Sequence, residues 1–262
     1  MNIYETVCLL KNKYGWYLHE QAGKKIWFKG HLISHSVDVL FDFNFERDAA
    51  LLHGHFSLIY KDSEKTILIT DKIRSIPLSF SLVNHTFYIA EEGRELLAKN
   101  NEIFQNNLGV TCFEMCGYTI GGHSLYRNIS VLRAGEILTI KNQTHSVSKY
   151  YSYTPWNSSN KTYVEFQDLL AEVTLKIFKN LILSIEGRQI VVPISGGVDS
   201  RLVLSSLKKL GYTNVVCFSY GKKNNYEAKI GRAVAEKIGF PWHFVSLSRS
   251  SIKKHIQSKL YQ

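Results

Sequence analysis

Residues 189–200 read Gln-Ile-Val-Val-Pro-Ile-Ser-Gly-Gly-Val-Asp-Ser, and this stretch decides the fold. A run of β-branched residues ends in Ser195-Gly196-Gly197-Val198-Asp199-Ser200, and a helical pattern starts at once. A strand therefore passes through paired glycines into a helix. Adjacent glycines let a chain turn tightly and approach a ligand without Cβ clashes. A helix start presents unpaired N–H groups and a partial positive charge, which suits phosphate. Ser195 and Ser200 add hydroxyl donors. Asp199 repels a bare anion, but it suits Mg²⁺ that also takes phosphate oxygens. The stretch predicts a nucleotide–metal site, against the plainer alternative of a strand–turn–helix joint capped by Asp199. The chain has neither Gly-x-x-x-x-Gly-Lys-Ser/Thr nor Gly-x-Gly-x-x-Gly. That argues against a Walker loop and a dinucleotide site.

Outward from the loop the pattern alternates. Val164, Leu169, Leu170, Val173, Ile177, Leu181 and Ile185 recur at helical spacing, predicting a helix from Tyr163 to Ile185. Residues 189–194 follow as a buried strand. Then come a helix over 199–210, a strand over 214–218, a helix over 227–238 and a strand over 242–247. This order implies parallel strands with right-handed crossovers. The tail from Ser248 starts another helix. Upstream, residues 152–160 are polar and turn-prone and read as a linker. Before them, short apolar or alternating runs recur at 5–10, 16–19, 25–28, 56–60, 66–70, 78–81, 86–90, 136–140 and 145–150. Two short helices are expected at 93–99 and 110–117. The expected domains are thus 1–155, an α+β, β-rich sandwich, and 160–262, an α/β domain with a parallel sheet.

Composition excludes other classes. The chain has 262 residues, 45% hydrophobic and 21% charged, which fits a globular protein with a real core. No window approaches a membrane span, and the start, Met1-Asn2-Ile3-Tyr4-Glu5, lacks a signal-peptide pattern. The four cysteines, Cys8, Cys112, Cys116 and Cys217, suggest no disulfide framework, so a cytoplasmic location is expected. A net charge of +10 suits nucleotide substrates as well as nucleic acid. His53-Gly54-His55 lacks a third metal ligand, and Lys253, Lys254, His255 and Lys259 read as a solvated helix face. Asn128 and Asn157 open glycosylation sequons that mean nothing without secretion.

The motifs resemble one family. Ser195 to Ser200 is similar to the S-G-G-x-D-S pyrophosphate loop of the ATP pyrophosphatases, and more narrowly of asparagine synthetases. Cys217-Phe218-Ser219-Tyr220-Gly221 resembles that family's second strand, which implies that Phe218, Ser219 and Tyr220 lie near adenine. Glu227-Ala228 with Ala233-Val234-Ala235 resembles the helix after it, and His243-Phe244 the next strand. Arg201 departs from the usual Ser and reads as a surface residue. Upstream, Leu52, Gly54, Phe56, Asp71, Pro77-Leu78, Ala90-Glu91-Glu92, Leu96-Leu97, Gly122, Leu125-Tyr126, Ile129, Leu132, Ala134-Gly135 and Tyr150-Tyr151 resemble a degenerate class II (Ntn-type) glutaminase domain. The fold implied downstream is adenine nucleotide α-hydrolase-like, incomplete at the C-terminus.

The resemblance implies an ATP- and Mg²⁺-dependent ligase, with Ser195, Gly196, Gly197, Val198, Asp199 and Ser200 on the pyrophosphate and Asp199 on the metal. It converts a carboxylate, aspartate in the family, to an adenylate that ammonia attacks, the reaction of asparagine biosynthesis. Two departures qualify it. Position 2 is Asn2, where those glutaminases expose a cysteine with its own α-amine, so no glutamine hydrolysis is expected. The family's S-G-E-G-S-D-E segment and later Lys do not occur before Gln262. The expectation is half of an ATP site, either truncated or completed by a second polypeptide. The rival expectation is a non-catalytic homologue that binds nucleotide weakly or serves as a partner subunit. A third, an RNA-modifying relative, lacks its catalytic cysteines near the loop, so a nucleic-acid partner is not expected.

Overall fold

The computed structural model describes residues 4–11, 14–33, 35–100, 102–156 and 159–257; Asn2, Asn157 and Lys259 lie outside the described residues. Two compact units divide the chain, Met1–Ser158 and Ser159–Gln262.

The first unit has two sheets. One is antiparallel and six-stranded. Its spatial order is β10 (Thr144–Lys149), β9 (Glu136–Lys141), β5 (Lys65–Thr70), β4 (Gly54–Lys61), β3 (Lys24–Leu32) and β2 (Tyr17–Gln21). The other is mixed, in the order β1 (Glu5–Cys8), β7 (Thr86–Ala90), β6 (Ser79–Val83) and β8 (Ser130–Val131), with β1 and β7 parallel. The central strands β4 and β5 are apolar on both faces because both faces are covered. Phe56, Leu58 and Tyr60 join one core with Leu40, Phe41 and Phe45. Ile59 and Leu68 join the other with Phe87 and Leu138. Phe41 belongs to a 3₁₀ turn (Asp38–Asp42) and Phe45 to α1 (Phe45–Asp48). Both elements are too short to show a helical period. The remaining helices are α2 (Arg94–Leu97) and α3 (Asn107–Cys116).

Backbone chemistry explains two of the motif residues. Gly54 and its near-neighbour Gly30 have φ +146° and +113°, and a Cβ on either would lie about 2 Å from a carbonyl of the facing strand (2.1 and 2.0 Å). Only glycine fits there. Asp71 is 1% exposed, and its carboxylate accepts the N–H groups of Phe56, Ile73 and Ser75 at 3.1, 2.9 and 3.0 Å. It satisfies buried donors that β5 leaves unpaired where the chain turns away.

The second unit opens with α4 (Tyr163–Ser184), whose start is fixed by a capping box between Thr162 and Glu165. Then follow β11 (Ile190–Pro193), α5 (Val198–Lys209), β12 (Val215–Gly221), α6 (Tyr226–Ile238), β13 (Trp242–Ser246) and α7 (Arg249–Ile256). The sheet is parallel throughout, in the order β11-β12-β13. Its core gathers Val192, Ile194, Leu204, Leu207, Val215, Cys217, Ala235 and Phe240.

The expectation of a buried strand over 189–194 is corrected. Val191 is 55% exposed, and Val192 is the buried residue of β11. The cause is position: β11 is an edge strand of the described sheet. Pro193 fits there, since an edge strand loses no ladder bond on its open side.

α6 lies close on the sheet at Gly231, where a Cβ would sit 2.6 Å from Ser219 Oγ and 2.9 Å from the Ile194 carbonyl oxygen. Gly231→Ala is therefore expected to cost about 1–3 kcal/mol by overpacking, seen as a lower urea midpoint by circular dichroism. A wild-type midpoint would contradict this packing.

Candidate functional site

The site grows from the end of β11. Ile194 N–H donates to the Phe218 carbonyl at 2.8 Å, and the Ile194 carbonyl accepts from Ser219 Oγ at 2.7 Å. The chain then leaves the sheet. Gly197 is the N-cap of α5, in an extended conformation (φ −75°, ψ 160°) and with no side-chain cap. Gly197 N–H donates to Ser195 Oγ at 3.2 Å, and Ser200 Oγ takes the Ser195 N–H at 3.5 Å. Behind the loop, Arg201 donates through Nε to the Gly197 carbonyl and through Nη2 to the Gly196 carbonyl, both at 3.1 Å. The loop's acceptors are thus engaged by a cation. The first-turn amides of Val198 and Asp199 have no intrahelical partner.

The loop's geometry bears on three readings. Neither glycine of the loop adopts a left-handed φ. A Cβ at Gly196 or Gly197 would make ordinary contacts, 3.5 Å to Ile230 Cδ1 and 3.4 Å to Ser195 Oγ. The tight-turn argument therefore does not apply; what the glycines leave is bare backbone. Asp199 is not the cap. It lies exposed in the first turn of α5, and its carboxylate bonds to no described residue. Arg201 lies exposed on the surface, as expected, and from there also braces the loop.

Beside the loop, past the C-terminal ends of β11 and β12, is a cavity of about 200 Å³ lined by Pro193, Ile194, Ser195, Ser219, Tyr220, Glu227 and Ala228. Parallel α/β sheets bind ligands at such ends. Of the predicted phosphate residues, Ser195 lines the cavity, while Gly196, Gly197, Val198, Asp199 and Ser200 continue beside it. Of the three residues expected near adenine, Ser219 and Tyr220 line it and Phe218 does not. Ser219 Oγ already donates to Ile194 and accepts from Trp242 Nε1 at 3.0 Å, so it ties strands together. Tyr220 is 61% exposed, its ring 6.3 Å from that of Phe218. Glu227, named in the motif but given no site role there, brings a carboxylate to the cavity. Its signal was its place, two residues after the Asn225 cap of α6, where a first-turn side chain faces the strand ends.

Two of the cysteines, Cys8 and Cys217, are held as thiols by their surroundings. Burial pushes the Cys8 thiol up to about 12, so it stays protonated at neutral pH. Burial also raises Cys217. His53 and His55 find Lys72 Nζ and Ser75 Oγ, and no cluster able to hold a metal ion occurs among the described residues. Among the described residues no helix is long and apolar enough to cross a membrane.

Two family models match the chain. Residues 45–151 match the glutamine amidotransferase domain, and residues 189–262 match the queuosine biosynthesis protein QueC. In this order the two fit an asparagine synthetase-like architecture, an Ntn amidotransferase domain followed by a PP-loop ATP pyrophosphatase-like domain. Among solved structures, a glutamine phosphoribosylpyrophosphate amidotransferase from B. subtilis, complexed with ADP and GMP, matches at 14% identity and a TM-score of 0.32, over 93% of this chain and 53% of that one. A structure described as the allosteric regulatory enzyme of purine biosynthesis matches at 15% identity and a TM-score of 0.32, over 93% and 52%. The chain spans about half the length of these two. No curated protein matches it.

Iodoacetamide at pH 8 is expected to label the exposed Cys116 first in the native protein and to spare Cys8 and Cys217 until urea is added. Native labelling of Cys8, read by peptide mass spectrometry, would contradict the burial that holds its proton.

Proposed function

We propose that this chain is the working part of an asparagine synthetase-like, AMP-forming amide ligase. The observation that carries the proposal is the set of unpartnered first-turn amides of α5, with Asp199 free beside them and the cavity adjoining. A carboxylate, aspartate being the acceptor the family resemblance favours, attacks the α-phosphate of ATP; the bond to pyrophosphate breaks and an acyl adenylate forms. Ammonia then attacks the acyl carbon, and AMP leaves as the amide forms. Ser195, Gly196, Gly197, Val198 and Ser200 would take the departing pyrophosphate through backbone amides and hydroxyls. Their work is to meet charge that grows in the transition state. Asp199 would hold Mg²⁺, which supplies further neutralisation. Phe218, Ser219 and Tyr220 would border adenine, with Tyr220 giving its ring face and Ser219 its backbone, since its hydroxyl is occupied.

The first unit keeps an amidotransferase-like frame without glutamine hydrolysis in this reading. Cys8 is protonated and its nitrogen lies within β1, so it offers neither thiolate nor amine. Ammonia would come from solution or from another protein. The open edge of β11, with Val191 exposed, favours a further polypeptide segment pairing there to wall the site. The same edge favours a second reading, a homologue that binds nucleotide without turnover. The free cysteines suit a cytoplasmic setting.

Pyrophosphate release from ATP with aspartate and ammonium separates these readings. Wild type is expected to exceed background, and Asp199→Ala to fall at least about tenfold, at the low end for a transition-state charge contact. Glutamine is expected not to replace ammonium. Equal background rates in both proteins would overturn the ligase and leave the non-catalytic reading.

A further inference from the structure

A second cavity, about 310 Å³, lies on the other side of the first turns of α6 and is lined by Lys223, Asn224, Asn225, Ala228, Lys229, Arg232, Trp242 and Phe244. It shares Ala228 with the phosphate-loop cavity but none of the loop residues. Its walls are of two kinds. One is aromatic: the Trp242 and Phe244 rings are stacked at 6.2 Å with 26° between their planes. The indole is fixed from behind, because Trp242 Nε1 donates to Ser219 Oγ. The Arg232 guanidinium sits 5.8 Å from the centre of the indole ring and is held by Glu236 at 2.7 Å. The other wall is cationic. Lys223 and Lys229 make no ion pair with any described residue, and both are exposed.

Lys223 and Lys229 line the same cavity as the orientated aromatic pair and carry no carboxylate partner among the described residues, so an anion seated there meets two unneutralised cations. Core packing explains Trp242 but not the lysines. A solvated charge run explains the lysines but not a cavity with an aromatic floor. Arg232 carries a neutralising carboxylate, so the net demand is for about two negative charges, the charge of a phosphate monoester near neutral pH. The flat surface takes a planar ring by stacking, with the guanidinium adding a cation–π partner. The volume suits a small ligand.

We propose that this groove binds a mononucleotide, with Lys223 and Lys229 on its phosphate and the Trp242–Phe244–Arg232 surface on its base. The site is separate from the phosphate loop and does not depend on the ligase reading. A nucleotide held here would sit against the same first turn of α6 that carries Glu227 into the loop cavity, and so would touch that cavity's wall.

Calorimetric titration of the full chain with AMP tests this, using Lys223→Glu/Lys229→Glu for the groove and Ser195→Ala/Ser200→Ala for the loop. Each variant is first checked for a wild-type circular dichroism spectrum. The groove variant is expected to lose at least about tenfold in affinity for one AMP, and Lys223→Arg/Lys229→Arg to restore it. The loop variant is expected to keep that AMP. Should the loop reading fail while the groove holds, wild type binds a single AMP that the loop variant retains. Should the groove fail while the loop holds, the single AMP is lost in the loop variant and kept in the groove variant. That second pattern, or no AMP heat in wild type, overturns the proposal. So does a hexauridylate RNA that binds the groove at least tenfold more tightly than AMP, because the site would then belong to a strand and not a free nucleotide.

Discussion

Ile194 is clamped on both of its peptide groups, and the second unit's chemistry depends on that clamp. Its N–H is spent on Phe218 and its carbonyl on Ser219. The carbonyl of the last sheet residue is therefore fixed, and the chain leaves β11 along one path. Arg201 then draws the Gly196 and Gly197 carbonyls toward α5. Since a peptide's carbonyl and amide point opposite ways, engaging the carbonyls sets where the amides face. A cation also offsets the carbonyl dipoles beside the first turn of α5. The same Ser219 hydroxyl accepts from Trp242, so one side chain joins three strands of the sheet. Gly231 allows α6 to lie over that junction. Loop geometry, helix packing and the aromatic wall of the neighbouring groove thus share one hydrogen-bonded knot.

Much of this was legible in the sequence, for reasons that can be named. The strand–helix alternation after Tyr163 showed because a parallel sheet needs long crossovers, and long helices display their period. The strand-to-helix joint at residues 195–200 showed because a β-branched run, paired glycines and a helical pattern follow one another directly. The exposure of Val191 was not legible, because an apolar run looks the same in a central strand and at an edge. The contacts of the exposed Arg201 were not legible for a related reason: spacing alone cannot tell a side chain that reaches back to its own loop from one that points to water. Glu227 and the groove beside α6 depend on which strand ends converge, and that is a property of sheet order. In the first unit, the 3₁₀ turn and α1 escaped because neither completes the turns a periodic pattern needs.

In the first unit Gly30, Gly54 and Asp71 serve backbone geometry, and Gly54 and Asp71 fall within residues 45–151, which match the glutamine amidotransferase domain. None of them is a nucleophile. Cys8, partly buried at the end of β1, packs against the core around Phe87 and Leu138.

The central claim is that the bare backbone at the mouth of α5 grips the tail of a nucleotide. Amide NMR of ¹⁵N-labelled protein titrated with magnesium pyrophosphate addresses it directly. The account predicts saturable shifts of the Gly196, Gly197, Val198 and Asp199 amides, with the Arg201 side-chain signal moving little. Amide signals that stay fixed in this segment while pyrophosphate saturates elsewhere, or binds nowhere, would contradict it.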